Sequence, residues 1–224
     1  MARIPRIVIP QIPHHITQRG NRRQQTFFSI ADYQAYLEFL ATACKVYDVE
    51  IWAYCLMPNH VHLIAVPGTE KSLQLAMGDC HQRYSKLINY RFGWNGYLWQ
   101  GRFKSFPMDE KHLYYAARYV ELNPVRAGIC KQAEDYLWSS ALAHLNIRED
   151  KYVSVQPLLS RFPDWRYYLN EETDPRWTKT HRSHSSTGRP LGSKEFVSAL
   201  ELSTGRILTL LKRGPKTTPL PDEN

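Results

Sequence analysis

Two histidines, His60 and His62, sit two residues apart inside the run Met57-Pro58-Asn59-His60-Val61-His62-Leu63-Ile64-Ala65-Val66. The β-branched and apolar residues around them predict a strand, and along a strand alternate side chains share a face. His60 and His62 therefore point one way while Val61 and Leu63 point the other. Two strand positions span about 6.6 Å, and two imidazoles that far apart can tilt onto one divalent cation at roughly 2.0–2.2 Å. Two ligands do not complete a site. A third must come from elsewhere in the fold, with positions left open for substrate. The plainer alternative is a pair of polar residues on the wet side of a half-buried sheet.

The second segment with chemical content runs Leu113-Tyr114-Tyr115-Ala116-Ala117-Arg118-Tyr119-Val120-Glu121-Leu122-Asn123-Pro124. At helical spacing Leu113, Ala116, Ala117 and Val120 form one apolar stripe that faces the core. Tyr115, Tyr119 and Asn123 fall at i, i+4 and i+8, a second line beside that stripe. Tyr119 is thus not a natural core aromatic, and its hydroxyl lies about one turn from the Asn123 amide. A hydroxyl nucleophile close to a metal-held phosphate is what a phosphotyrosine-forming nuclease requires. The chain holds 14 tyrosines, so packing or surface decoration is the alternative role for any one of them.

The elements that must position these residues follow from periodicity. His14–Gln18 reads as a strand that ends at the Gly20-Asn21 turn signal. Tyr33, Leu37, Leu40, Cys44 and Tyr47 predict a helix over 31–47, and Val49–Leu56 a strand. Met57-Pro58-Asn59 breaks that strand before His60–Val66 resumes as another. Leu73, Met77, Cys80, Tyr84 and Leu87 predict a second helix; a third starts at Asp109, a capping residue, and stops before Pro124. Strands and helices in this order, with a hairpin in the middle, predict an α+β sandwich. Its central antiparallel sheet carries the His-x-His strand, with helices packed on it. His14 and His15 are adjacent, so they face opposite sides of their strand and cannot imitate the His60/His62 pair.

Charge gives the partner class. The 224 residues carry 29 Lys+Arg against 21 Asp+Glu, a formal net charge of +8, with 43% hydrophobic and 12% aromatic residues to bury a core. The first 25 residues hold five arginines and no acid; from Arg176 to Lys216 there are nine basic residues and two acids. A body over 1–170 followed by a basic extension over 171–224, DNA-contacting or partly flexible, is the expected organisation. Within the extension Ser193–Leu211 has helical pattern, and the flanking Gly-Arg-Pro and Arg-Gly-Pro-Lys segments read as solvated linkers. Such a balance makes nucleic acid the first partner to test. No apolar run approaches a membrane span and no secretory leader is evident, so no membrane partner is expected. The four cysteines, Cys44, Cys55, Cys80 and Cys130, form no Cys-x-x-Cys pair. That excludes a zinc ribbon or a disulfide scaffold and fits free thiols in the cytoplasm.

Several blocks, in order, carry a resemblance. Asn59-His60-Val61-His62-Leu63, Gly96-Tyr97-Leu98-Trp99-Gln100-Gly101-Arg102-Phe103-Lys104-Ser105 and Tyr119 through Gly128 look like the REP-associated tyrosine transposases of the HUH superfamily. His15 through Arg22, Asp32-Tyr33 and Trp138-Ser139-Ser140 extend the match over roughly 12–142. The resemblance implies a ferredoxin/RRM-like sandwich and a metal-dependent single-strand DNA endonuclease and strand transferase. It makes His60 and His62 the paired metal ligands, Tyr119 the nucleophile and Asn123, four residues on, the third ligand. The ion would be Mg²⁺ or Mn²⁺. Tyr114 and Tyr115 are fallback nucleophiles, and the substrate would be a palindromic repeat folded as hairpin DNA. The residues agree with that substrate: Arg19, Arg22 and Arg23 can grip phosphates, and Tyr97 and Trp99 can stack bases beside Arg102 and Lys104. Arg126 joins this DNA-binding set, and a hydrophobic minicore is the alternative for Trp99. A homodimer and a monomer are both compatible. The rival readings are a non-catalytic hairpin-binding repressor on the same fold and an RNA phosphoesterase, metal-dependent or of the two-histidine type. The latter needs a second His-x-Thr/Ser block, and none is evident.

Overall fold

The structure, a computed structural model, describes residues 5–172 and 175–209. Its framework is β1 (His14–Arg19), α1 (Ile30–Val46), β2 (Val49–Met57), β3 (His60–Pro67), α2 (Ser72–Phe92), β4 (Lys104–Pro107) and α3 (Glu110–Glu121). The strands form one sheet in the order β2-β3-β1-β4 with every neighbouring pair antiparallel. The β1-α1-β2-β3-α2-β4 run is the expected ferredoxin-like sandwich, with α3 added on the opposite face. Short helices follow: α4 (Asn123–Arg126), α5 (Ala141–His144), α6 (Gln156–Leu159) and α7 (Trp165–Asn170), then α8 (Pro175–Thr187) and α9 (Lys194–Thr204).

The register sorts residues onto two faces. β1 pairs with β3 so that Arg19 lies opposite His60, Thr17 opposite His62 and Ile16 opposite Leu63. Ile16, Val61, Leu63 and Ala65 join Leu37 and Leu40 of α1 and Leu73 and Met77 of α2 in one core. Ile64 and Phe106 join Leu113, Ala116, Ala117 and Val120 of α3 in a second core. The predicted α3 stripe is fully buried, each large member contributing about 1.5–3 kcal/mol by leaving water.

Local signals fix the ends. α1 opens on a capping box between Ser29 and Asp32, and Asp32 also holds Arg91 at 2.6 Å. The Asp109 carboxylate caps α3 by accepting from the His112 amide at 2.9 Å. Beyond Leu122 the chain turns into α4 with Pro124 in its first turn, where the missing N–H costs nothing. Asn123 therefore opens a helix.

The Trp138-Ser139-Ser140 block runs along the outer side of β2. The Leu56 amide donates to the Trp138 carbonyl at 2.8 Å and the Ser140 amide to the Tyr54 carbonyl at 3.0 Å. The Trp138 ring stacks on Tyr33 at 4.5 Å. Ser140 Oγ and His144 Nδ1 donate to one oxygen of the buried Glu121 carboxylate at 2.5 and 2.7 Å, and Trp165 Nε1 to the other at 2.8 Å. Three donors on Glu121 tie the last turn of α3 to this block.

Two elements lie outside the sequence expectation. β4 is a four-residue edge strand ending in Pro107, too short for alternation to show. α8 carries one large apolar residue, Trp177, yet packs on the body through Trp177 and His181, both buried. The Gly188-Arg189-Pro190 segment is not a solvated linker: Leu191 beside it is buried, and its amide donates to the Pro107 carbonyl at 2.9 Å. The Arg213-Gly214-Pro215-Lys216 segment lies outside the described residues. Among these, no helix is long and apolar enough to cross a membrane, and all four cysteines are free thiols.

Candidate active site

An open cleft of about 880 Å³ lies where β1, β3 and the end of α3 meet, and His60, His62, Tyr119 and Asn123 all line it. The strand brings the two histidines onto one face, their ring centroids 4.9 Å apart. Tyr119 approaches from α3, its ring 5.5 Å from that of His62. Arg126 lies over the Tyr119 ring at 3.8 Å and donates from Nη2 to the Tyr119 carbonyl at 2.8 Å. Tyr114 instead donates to Glu171, and Tyr115 packs on Trp177. Of these three tyrosines only Tyr119 reaches the cleft.

Each histidine is held from behind. The His60 Nδ1 is 2.6 Å from Asn59 Oδ1, and the Asn59 Nδ2 donates to the Arg23 carbonyl at 3.0 Å. The His62 Nδ1 is 3.0 Å from Nε2 of His15. Burial pushes the His60 pKa down to about 4, with Arg19 acting in the same direction. His15 falls to about 3 through burial and then Arg126, and His62 lies well below its ordinary value, burial again the largest cause. All three rings are neutral at pH 7, the form that ligates metals.

Basic residues rim the cleft. Arg19, Arg23, Arg102, Lys104 and Arg126 line it, while Arg22 is exposed just outside the lining. The loop presenting Arg22 and Arg23 is tight. A Cβ on Gly20 would stand 2.3 Å from the Gln24 carbonyl oxygen, so only glycine fits there. Arg22 and Arg23 themselves adopt φ of 53° and 62°, a left-handed conformation that non-glycine residues rarely hold without a structural constraint. The constraint is visible: the Gly20 amide donates to the Asn59 carbonyl at 2.8 Å and the Asn21 amide to the Leu98 carbonyl at 2.8 Å.

Trp99 corrects the base-stacking expectation. It is only 6% exposed and packs against Tyr36, His81 and Tyr84 in the α1/α2 core. A base could reach it only by opening that core, so the minicore alternative is the right one. Tyr97, two residues earlier, is 87% exposed.

Three residues at the site lay beyond the sequence reading. His15 reaches His62 because Thr17 pairs with His62, which puts His15 diagonally behind it on the same face. Adjacency to His14 hid this, since the register of β1 on β3 is the signal and a single strand does not display it. Asn59 falls in the quoted motif but gains a role only from the Arg23 contact. His181 of α8 packs 4.3 Å from the Tyr119 ring and 4.5 Å from that of His15, on a helix that periodicity did not reveal.

The donor set can be tested against a cation. With Nδ1 engaged on both rings, Nε2 of His60 and of His62 is the nitrogen left to meet one. Among the described residues no three His, Cys, Asp or Glu side chains converge to hold a metal, so a third protein ligand would be another oxygen donor. Asn123 supplies one at the cleft wall, and its buried Nδ2 has no hydrogen-bond partner. Two imidazoles and an amide suit a hard divalent cation with open positions.

Comparison with known families decides the class. The family model described as Transposase IS200 like matches residues 9–123, half of the chain. The chain belongs to the IS200-like transposase family. The transposase is an enzyme that cleaves and rejoins DNA strands, and the matched span ends on Asn123, enclosing His60, His62, Tyr119 and Asn123. A protein of Haemophilus influenzae provisionally named a REP-associated tyrosine transposase is 28% identical over 124 residues, covering 49% of this chain and 67% of the relative. A solved REP-associated tyrosine transposase bound to a REP hairpin superposes with a TM-score of 0.56 at 20% identity. That superposition covers 69% of this chain and 98% of the other. The likeness shows the fold.

Proposed function

We propose that this transposase cuts single-stranded DNA at palindromic, hairpin-forming repeats and rejoins it through a 5′-phosphotyrosine on Tyr119. The observation that carries the reading is the meeting of Tyr119 with His62, rings 5.5 Å apart, in a cleft rimmed by arginines. The relative's name and the solved neighbour's hairpin support the substrate. Tyr119 Oη attacks phosphorus as its proton leaves; the bond to the 3′ oxygen breaks, and that oxygen takes a proton to become a free 3′-OH. Attack by the 3′-OH of a second strand reverses the exchange, so one phosphodiester is traded for another without external energy. Arg19, Arg23 and Lys104 grip the backbone phosphates on either side. Mg²⁺ or Mn²⁺, held by His60, His62 and Asn123, would neutralise charge developing on the scissile phosphate. α8 belongs to the same unit, with its Trp177 and His181 rings packed 5.9 and 4.3 Å from that of Tyr119.

The test is incubation of the protein with labelled hairpin DNA and Mg²⁺ or Mn²⁺, followed by a denaturing gel. Wild type yields a covalent adduct and Tyr119→Phe yields none. An adduct that persists in Tyr119→Phe would sink the assignment, and hairpin binding without cleavage under either metal would restore the repressor reading.

A further inference from the structure

The two cleft histidines differ in what stands behind them. His60 has a fixed partner: the Asn59 amide spends its Nδ2 on the Arg23 carbonyl and turns Oδ1 to His60 Nδ1. An oxygen can only accept, so His60 carries its proton on Nδ1 and bares Nε2. Among the described residues no carbonyl or carboxylate bonds His62 from behind. Its Nδ1 meets another imidazole, Nε2 of His15, at 3.0 Å, the rings stacked at 18°. Such a bond runs in either direction, one nitrogen giving the proton and the other taking it.

We infer that His15 and Asn59 are positioning residues that hold His62 and His60 as Nδ1–H tautomers, aiming both Nε2 lone pairs into the cleft. The inference rests on the proposed metal site. If His62 accepted instead, its Nε2–H would point at the place where His60 presents a lone pair, and the pair could not share a cation. With His62 donating, His15 carries its own proton on Nδ1, which is buried without a hydrogen-bond partner. The neighbouring His181 ring, its centroid 4.5 Å from that of His15, likewise has both nitrogens without a hydrogen-bond partner among the described residues. Metal-binding histidines nearly always give the second N–H to an oxygen; here one of the two gives it to a ring on the adjacent strand. Asn59 has a further consequence. Because one amide holds both His60 and the Arg23 carbonyl, the loop that grips phosphate and the ring that would grip metal are positioned together.

Long-range ¹H–¹⁵N spectra of metal-free wild type test this without any variant. Both His60 and His62 read as Nδ1–H; an Nε2–H form of His62 would overturn the inference. Mn²⁺ titration followed by electron paramagnetic resonance supplies the second arm. His15→Phe keeps the ring packing but removes the acceptor and weakens Mn²⁺ binding about 10- to 100-fold. His15→Gln, whose Oε1 stands where Nε2 stood, restores most of it. Equal loss in both variants would mean a merely structural role, and unchanged affinity in both would mean none; either overturns the inference. His62→Ala is the control for the reading beneath it: undiminished Mn²⁺ affinity there would remove the metal site itself, whatever His15 does.

Discussion

The two faces of the sheet are made by the same strands, one residue out of step. Facing α1 and α2, β1 and β3 present Ile16, Val61, Leu63 and Ala65 to a closed core. Facing α3, the intervening positions present His15, Thr17, His60 and His62, of which the last three line an open cleft and His15 backs it. Histidines are buried on both sides, and their partners differ. On the core side His14 bonds the Ile12 carbonyl at 2.7 Å and accepts from the Ile9 amide at 3.2 Å, and His81 bonds the Tyr36 hydroxyl at 3.0 Å. On the cleft side His15 and His181 keep ring nitrogens without partners, as does the Asn123 amide. Buried polar groups are ordinarily satisfied. The two core-side histidines are satisfied within the fold, whereas the cleft side keeps ring nitrogens and the Asn123 amide without partners among the described residues.

Neighbouring substitutions across that divide give the largest expected effects. His62→Ala lowers cleavage about 10³-fold, the several kcal/mol that a Lewis acid supplies at a phosphate, and leaves the thermal midpoint close to wild type. Leu63→Ala, one residue on, lowers unfolding free energy by about 2–5 kcal/mol through the cavity it opens and leaves cleavage intact wherever the protein is folded. Chemical denaturation paired with the adduct assay reads both. Were His62→Ala to unfold as readily as Leu63→Ala, the two faces would not be separable and the contrast would fail.

That separation was partly visible in the order of residues. The His60/His62 alternation, the Leu113-Ala116-Ala117-Val120 stripe and the Tyr119–Asn123 spacing are short-range patterns, and each reports the face its residues occupy. What needed the fold was long-range. His15 meets His62 through strand register, Trp99 is buried because its segment crosses Gly20 in a backbone bridge, and α8 is held by Trp177 and His181 in an otherwise polar stretch. Trp99 shows the hazard best: an aromatic between Arg102 and Tyr97 in sequence reads as a stacking platform, yet only Tyr97 meets solvent.

Acid tests the core-side histidines. Burial holds His14 at about 4 and His81 at about 3, against 6.5 in the unfolded chain. Between those values the unfolded chain binds protons that the folded one refuses, so stability is full above pH 6.5 and falls as the pH drops toward 4. Each histidine contributes a slope of about 1.4 kcal/mol per pH unit inside that window. Urea midpoints followed from pH 7 to 4.5 in wild type and His81→Gln check it: the variant loses one histidine's share of the slope. Parallel curves for the two proteins would show that His81 is not held neutral by its burial.

The smallest expected effect concerns the charges on each side. Arg19 lies on the cleft rim opposite His60 in the register, where a phosphate would displace a counterion. Each such contact to a single strand contributes about −0.7 to the slope of log affinity against log salt. Arg19→Ala should therefore flatten that slope by about 0.7 and weaken binding to matched and unmatched hairpins alike, because a phosphate contact carries no sequence information. Arg83, on α2 over the other face, is ion-paired with Asp79 at 3.8 Å. Arg83→Ala should leave the slope where it was. Equal changes in the two variants would mean that the net charge attracts DNA from all round the molecule; a change in Arg19→Ala alone would put the grip on the face that carries Tyr119.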